Sequence, residues 1–460
     1  MSLRGRTTFA LALLFAINAM NFFDRQIFGA VTEPIRKEFG LSDTAIGLLG
    51  TAFTLIYAAV GLPLGHLTDK HSRKRILAAG VFVWSVLTAA SGFARNYLQL
   101  FISRLGVGVG EATCAPASVS LMGDLYPSRK RARAISIFML GLPIGIALSF
   151  AVSGSIAHRF GWRPAFYVAA VPGIICALLA LVMYEPARGA AEAHDVGARK
   201  RAGSPFLLVL SIPTMWFVIA SGALHNFNMY ALGSFLSPFL QRFHGKDVSE
   251  AGFIAMIVYG LSGIPGLLAG GVIGDAVMRR RSNGRLLVAS IFILASVPLE
   301  FIALGRAKGE IAAFMILMGA GVGATYAYYS TVYSTIQDVI EPSLRGTAMA
   351  IYFFAMYVLG ASLGPLGTGF FSDRFTRQAA IASGVTDLTP AALEPFKAAG
   401  LHTAMYVVPW FGVGLAIVLL LASVTVGKDM QRLQDWMRQS AQSPEAAPST
   451  EPIKAEAAGK

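Results

Sequence analysis

The chain has 460 residues, of which 55% are hydrophobic and only 14% charged, and it carries a net charge of +13. Soluble domains average roughly 45–50% apolar and about 25% charged residues, so an ordinary water-soluble protein is excluded. An integral membrane protein remains, and at roughly 20 apolar residues per membrane helix the apolar content suffices for about a dozen spans.

Apolar stretches recur at about 8–32, 44–67, 76–94, 97–123, 134–157 and 164–184, and again at about 206–240, 249–274, 286–304, 310–337, 346–371 and 402–426. The expected fold is therefore all-α, with twelve transmembrane helices in two six-helix halves, residues 1–184 and 206–427. A polar linker, 185–205, joins them. The last part, 428–460, is expected to be a short amphipathic helix from Lys428 to Gln439 followed by a disordered tail. The first stretch is too long for a cleaved signal and is followed by further spans, which argues for a retained first helix.

Loop charges give the topology. With the N-terminus inside, 24 Lys and Arg fall in inside segments and 12 in outside loops. Basic residues concentrate in cytoplasmic loops, so both termini are expected in the cytoplasm, and the positive balance implies no nucleic-acid partner. Cys114 and Cys176 lie in apolar stretches and form neither a disulfide framework nor a thiolate site. The histidines lack ligand spacing. No metal or organic cofactor is expected.

Four charges remain within the membrane: Asp24 and Arg25 in the first span, Arg104 and Glu111 in the fourth. Such charges are costly and normally face protein or a wet cavity in pairs. Arg104 and Glu111 are seven residues apart and share a helix face; Asp24 and Arg25 point about 100° apart. We expect Asp24 and Glu111 at a central polar site, with Arg25 and Arg104 as counter-ions and the proton as candidate coupling ion. A static ion pair that orders two helices is the alternative, and for Arg104 the two readings weigh equally. Asn21, His225, Asn228, Tyr230, Tyr326, Tyr329, Tyr333 and Tyr357 are candidates for the substrate cavity. Tyr326, Tyr329 and Tyr333 fall on one helical face, although aromatic residues also serve as lipid-facing and packing groups.

An internal repeat strengthens the two-half plan. Gly65-His66-Leu67-Thr68-Asp69, then Arg73-Lys74-Arg75, returns 206 residues later as Gly271-Val272-Ile273-Gly274-Asp275, then Arg279-Arg280-Arg281. Duplicated halves with the cavity between them are a transporter design. These residues, with Arg133 and Arg345, are candidates for a cytoplasmic gate; for the arginine runs, topology alone is the other explanation. Nothing supports enzymology: Gly106-x-Gly108-x-Gly110 lacks the strand–loop–helix context of a phosphate loop.

The repeated Gly-x-x-x-Asp-x-x-x-Arg pattern resembles the loop signature of the major facilitator superfamily. Asn21-Phe22-Phe23-Asp24-Arg25, Ser103-Arg104-Leu105-Gly106-Val107-Gly108-Val109-Gly110-Glu111-Ala112 and Gly161-Trp162-Arg163-Pro164 resemble its spinster family. The resemblance implies a bacterial secondary transporter moving an amphipathic lipid, such as a lysophospholipid or sphingolipid-like molecule, with Asp24, Arg25 and Glu111 at the transport centre. It also implies an inner-membrane location and a monomeric transport unit. The rival readings are a proton-coupled carrier of small organic anions or drugs, and a non-transporting membrane sensor.

Overall fold

The computed structural model describes residues 3–188, 204–341 and 344–442; residues 189–203 and 342–343, the tail from 443 and the side chain of Asp69 lie outside that description. The described residues form α1 (Leu3–Phe39), α2 (Asp43–Lys70), α3 (Arg73–Gly92), α4 (Tyr97–Glu111), α5 (Cys114–Leu125), α6 (Ser128–Met139), α7 (Gly141–Phe160) and α8 (Arg163–Val182) before the linker. After it come α9 (Pro205–Leu210), α10 (Pro213–Arg242), α11 (Val248–Ala255), α12 (Gly263–Met278), α13 (Gly284–Leu304), α14 (Ile311–Thr325) and α15 (Ala327–Val339). Then follow α16 (Arg345–Ala355), α17 (Leu363–Ala382), α18 (Pro390–Leu393), α19 (Lys397–Met405) and α20 (Val407–Gln442). The helix expected from Lys428 is the last part of α20, which runs on without a break.

Among the described residues, ten helical stretches are long and apolar enough to cross a membrane, two fewer than expected. The shortfall falls on two elements. The stretch from Tyr97 to Leu125 breaks at Ala112-Thr113 into α4 and α5, neither long enough by itself. The middle of α10 carries His225, Asn226 and Asn228, all buried, which depress its hydropathy. Both elements carry polar groups in the protein interior, where a bilayer-facing helix would have none.

Several helices depart from ideal geometry for identifiable reasons. Pro34 lacks an N–H and crowds the carbonyl four residues back; Val31 takes φ −111° and ψ 15°, and the Ser237 hydroxyl of α10 donates to the Ala30 carbonyl at 3.2 Å. A π-helical turn, Met256–Leu261, separates α11 from α12, and another, Met356–Ala361, separates α16 from α17. Such one-turn insertions re-aim side chains and recur at functional sites; the second contains Tyr357.

Helices α1 and α10 run parallel across the middle of the molecule, since Gly29 meets Gly233 and Glu33 meets Arg242. A Cβ on Gly29 would come 2.0 Å from the Gly233 carbonyl oxygen, so that close approach needs glycine. Asp429 of α20 binds Thr214 at the start of α10. The described chain therefore begins and finishes at one end of the bundle, with residues 33–43 and 242 at the other.

Candidate functional site: a buried polar centre and two unequal ends

Arg25 occupies the centre. Its Nε donates to Glu111 Oε2 at 2.8 Å, and both side chains are almost wholly buried. Its Nη1 reaches across to α10 and the π turn, donating to the hydroxyls of Tyr230 and Tyr357 at 3.2 Å each. The guanidinium lies over Tyr57 (4.4 Å to the ring centroid), with Phe22 and Phe53 farther off. A desolvated arginine over an aromatic face gains about 2 kcal/mol, which offsets part of the cost of burying the charge. Glu111 is placed by the end of α4, where the helix breaks; its Oε1 makes no hydrogen bond, and neither does the Asn21 Nδ2.

Asp24, one residue before Arg25, points away from it, as the 100° step requires. It is wholly buried and neither carboxyl oxygen has a hydrogen-bond partner among the described residues; Trp84 Nε1, Glu111 and Arg104 are its polar neighbours. Among the described residues Arg104 donates only to the Asp24 backbone carbonyl, at 3.5 Å, and it lies 4.9 Å from the Phe53 ring. Of the two expected counter-ions, Arg25 therefore binds a carboxylate and Arg104 binds none directly.

The aromatic candidates divide. Tyr329 and Tyr333 are part-exposed and edge-to-face at 5.7 Å. Tyr326, expected in the same stripe, is wholly buried and donates to the Tyr259 carbonyl at 2.8 Å. The cause is the break between α14 and α15 at Tyr326 itself, which interrupts the helical phase that the sequence spacing assumes. His225 stacks on Tyr328 at 4.1 Å, and Asn228 is buried beside it.

The end away from the chain termini is closed by charge. Arg242 donates to both oxygens of Asp43 (2.8 and 2.9 Å) and to Glu33 (2.7 Å). Arg36 binds Glu33 at 2.8 Å and Glu394 at 2.5 Å. Asp373 accepts from the backbone N–H groups of Asp43 and Thr44 and from Lys397. Bonds joining residues before the linker to those after it cluster here and at Arg25. None of these end charges was singled out from sequence, where they look like ordinary loop-boundary residues; no spacing reveals that Asp43 and Arg242 meet.

At the terminus end the charged groups pair within one half or with the first residue of the linker. Arg73 binds Asp124 and, through its side chain and backbone N–H, Glu185. Burial alone would raise the Glu185 pKa, but the Ser72 hydroxyl and Arg73 outweigh it and hold the carboxyl below its ordinary range. Lys74 donates to the Met183 carbonyl, while Arg75 and Arg133 are exposed. In the second copy, Arg285 binds Asp275 and Asp338, and Arg279 is exposed. The repeat thus pairs Arg73 with Arg285, each at the start of its helix, rather than with Arg279 as the 206-residue shift implies. Arg345 donates to the Gln337 carbonyl at 3.0 Å.

One further acid was passed over: Glu300, 2% exposed in the last third of α13. A lone carboxylate in the apolar run around Leu299 and Phe301 was the available signal.

A charged, aromatic-walled centre between two helical sets, closed at one end, is the architecture of a membrane carrier. A family model described as the Major Facilitator Superfamily matches residues 14–365. The chain belongs to that superfamily and is closely related to its spinster family. It is 30% identical over 397 residues to Protein spinster homolog 1 of Mus musculus, covering 81% of this chain and 74% of that one. It is 27% identical over 368 residues to an MFS-type efflux pump of Mycolicibacterium smegmatis, covering 80% and 85%. The crystal structure of a bacterial homologue of the human lysosomal transporter Spinster, inward-facing and unoccupied, superimposes with TM-score 0.79 at 28% identity, covering 92% of this chain and 98% of that one. The function is transport, without enzymatic chemistry.

Proposed function

We propose that the protein carries an amphipathic lipid, such as a lysophospholipid or sphingolipid-like molecule, by alternating access and with the proton as coupling ion. In this reading α10 and the broken α4–α5 pair count with the ten apolar stretches, giving twelve spans in two six-helix halves. The basic-loop bias puts both termini in the cytoplasm of a bacterial inner membrane and makes the closed end external. The transport unit is a monomer. The likeness to an inward-facing spinster homologue agrees with that orientation.

The observation that carries the proposal is Arg25. It touches residues from both sides of the linker, and its Nη2 has no protein partner among the described residues. A guanidinium with a free edge is a planar donor fork for a phosphate headgroup, and Phe22, Phe53 and Tyr57 supply apolar wall for the first part of a tail. Headgroup binding competes with Tyr230 and Tyr357 for Arg25 and so loosens the cross-connection that holds this state. Asp24 and Glu111 are the coupling acids, because either can change protonation as its surroundings rearrange.

Purified protein in liposomes, offered labelled lysophospholipids and small organic anions with and without a pH gradient, tests this. Gradient-driven lysolipid flux that fails in Arg25→Ala supports it. Flux of only the small anions overturns the lipid assignment in favour of an anion or drug carrier, the reading favoured by the likeness to an efflux pump. Binding without any flux indicates a sensor. Flux indifferent to pH and unchanged in Asp24→Asn and Glu111→Gln removes proton coupling.

A further inference from the structure

We propose that Glu300, in the part of the chain after the linker, is a second proton-binding site, separate from the Arg25–Glu111 centre and connected through one enclosed cavity to His225 and Asn228. Glu300 is nearly inaccessible, and the cavity beside it has room for about one water molecule. Its polar lining consists of Glu300, Ser296, Thr325, His225 and Asn228; the remaining walls are apolar. Two polar atoms at this cavity have no hydrogen-bond partner among the described residues, His225 Nε2 and Asn228 Oδ1, although both residues are more than nine-tenths buried. Two unpaired buried groups around a water-sized space mark a site built to hold a polar occupant.

The charge balance decides what that occupant is. Helix α13 packs against α20, α14, α12 and α15. From α20 the cavity meets Val408, Gly412 and Leu415, and from α14 it meets Thr325. The nearest charged groups named on α12 and α15 are Asp275 and Asp338, both bound to Arg285 at the start of α13. That arginine is about 22 Å along the helix from Glu300. Tyr328 and Tyr329 of α15 close on the far side of His225, at 4.1 and 4.8 Å between ring centroids. Among the described residues no lysine or arginine lines the cavity. An ionised carboxyl here would be a buried charge without a counter-ion, which costs several kcal/mol. A protonated one is neutral and has an O–H to donate. Through one water that O–H reaches His225 Nε2 and Asn228 Oδ1, and both unpaired atoms are then satisfied. Asn228 is two residues from Tyr230, whose hydroxyl accepts from Arg25. On the carrier reading above, loss of the proton therefore disturbs the segment of α10 that contacts the transport centre.

Infrared difference spectroscopy on the full chain in lipid tests this without requiring flux. Subtracting the Glu300→Gln spectrum from that of the parent at neutral pH should leave the carbonyl band of a protonated carboxylic acid, shifted in D2O. His225→Phe, which keeps a ring against Tyr328 but removes Nε2, should move that band without abolishing it, and it serves if Glu300→Gln does not fold. A difference spectrum showing carboxylate bands overturns the proposal, as does a parent band that His225→Phe leaves in place. Carboxylate bands together with sodium-dependent thermal stabilisation would assign the cavity to a metal cation instead, and also overturn it. Absence of flux of lysolipids and small anions alike would refute the carrier reading while leaving this band untouched.

Discussion

Replacing Arg242 by glutamine should unseal the end of the bundle away from the termini. The side chain makes three charge-assisted bonds, to Asp43 at 2.8 and 2.9 Å and to Glu33 at 2.7 Å, and both acids are essentially inaccessible. Removing one partner of a buried pair costs about 3–5 kcal/mol. Here Asp43 keeps the Ser372 hydroxyl at 2.6 Å and Glu33 keeps Arg36, so the lower figure applies. The penalty falls on the closed state, because with this end open the same carboxylates meet water. A cost of about 3 kcal/mol lowers the closed-to-open ratio by about a hundredfold. The assay is thiol labelling at Ser237→Cys, in a background with Cys114 and Cys176 replaced by alanine. Ser237 is wholly buried on α10 against α1, a position that a membrane-impermeant reagent reaches only when this end opens. Labelling should be slow in the parent and much faster with Arg242→Gln. An unchanged rate in a folded variant would refute the assignment of these ion pairs as the seal.

Three further outcomes follow from the same geometry. Gly29→Ala places a methyl 2.0 Å from the Gly233 carbonyl oxygen and should also speed labelling at Ser237→Cys, by an overpacking cost of about 1–3 kcal/mol; an unchanged rate would mean that α1 and α10 do not stay in contact in the closed state. Arg25→Lys keeps the charge but loses the fork that joins Glu111, Tyr230 and Tyr357; liposome transport should fall at least tenfold with normal expression, at about 1.4 kcal/mol per tenfold, and parent-like flux would count against a positioning role. For Glu185, a folded pKa held below the ordinary value means that its stabilisation is complete above the carboxylate range and lost as pH falls through the lowered value. The melting temperature of Glu185→Gln should therefore lie below the parent's at neutral pH and converge with it in acid. A gap that is constant with pH would show that the carboxylate contributes no pH-linked stability.

Much of the helical plan was legible because bilayer insertion writes itself into composition. Every spanning segment must satisfy its backbone internally and present apolar side chains, so length, hydropathy and basic loops report the helices directly. The central site was partly legible for the same reason: a charge that survives in an apolar run needs a partner, and Asp24, Arg25, Arg104 and Glu111 stood out. Glu300 carried the same signal. Tyr326 did not follow its spacing, because periodicity assumes a continuous helix and this one breaks at that residue.

The all-α membrane class, the internal repeat and the presence of arginine and carboxylate side chains in the membrane interior were all readable along the chain, since each depends on local composition. Which groups meet was a matter of how the helices pack. Arg25 takes Glu111 from α4 and two tyrosines from beyond the linker; Arg242 takes Asp43 from 199 positions away; Arg285, not Arg279, repeats Arg73. These pairings depend on how separate helices approach and on where their phase is broken by Pro34, by the π turns and by Ala112-Thr113. An ion pair has no sequence spacing when its two halves lie on different helices. The same helices in another packing would leave the same charges with other partners.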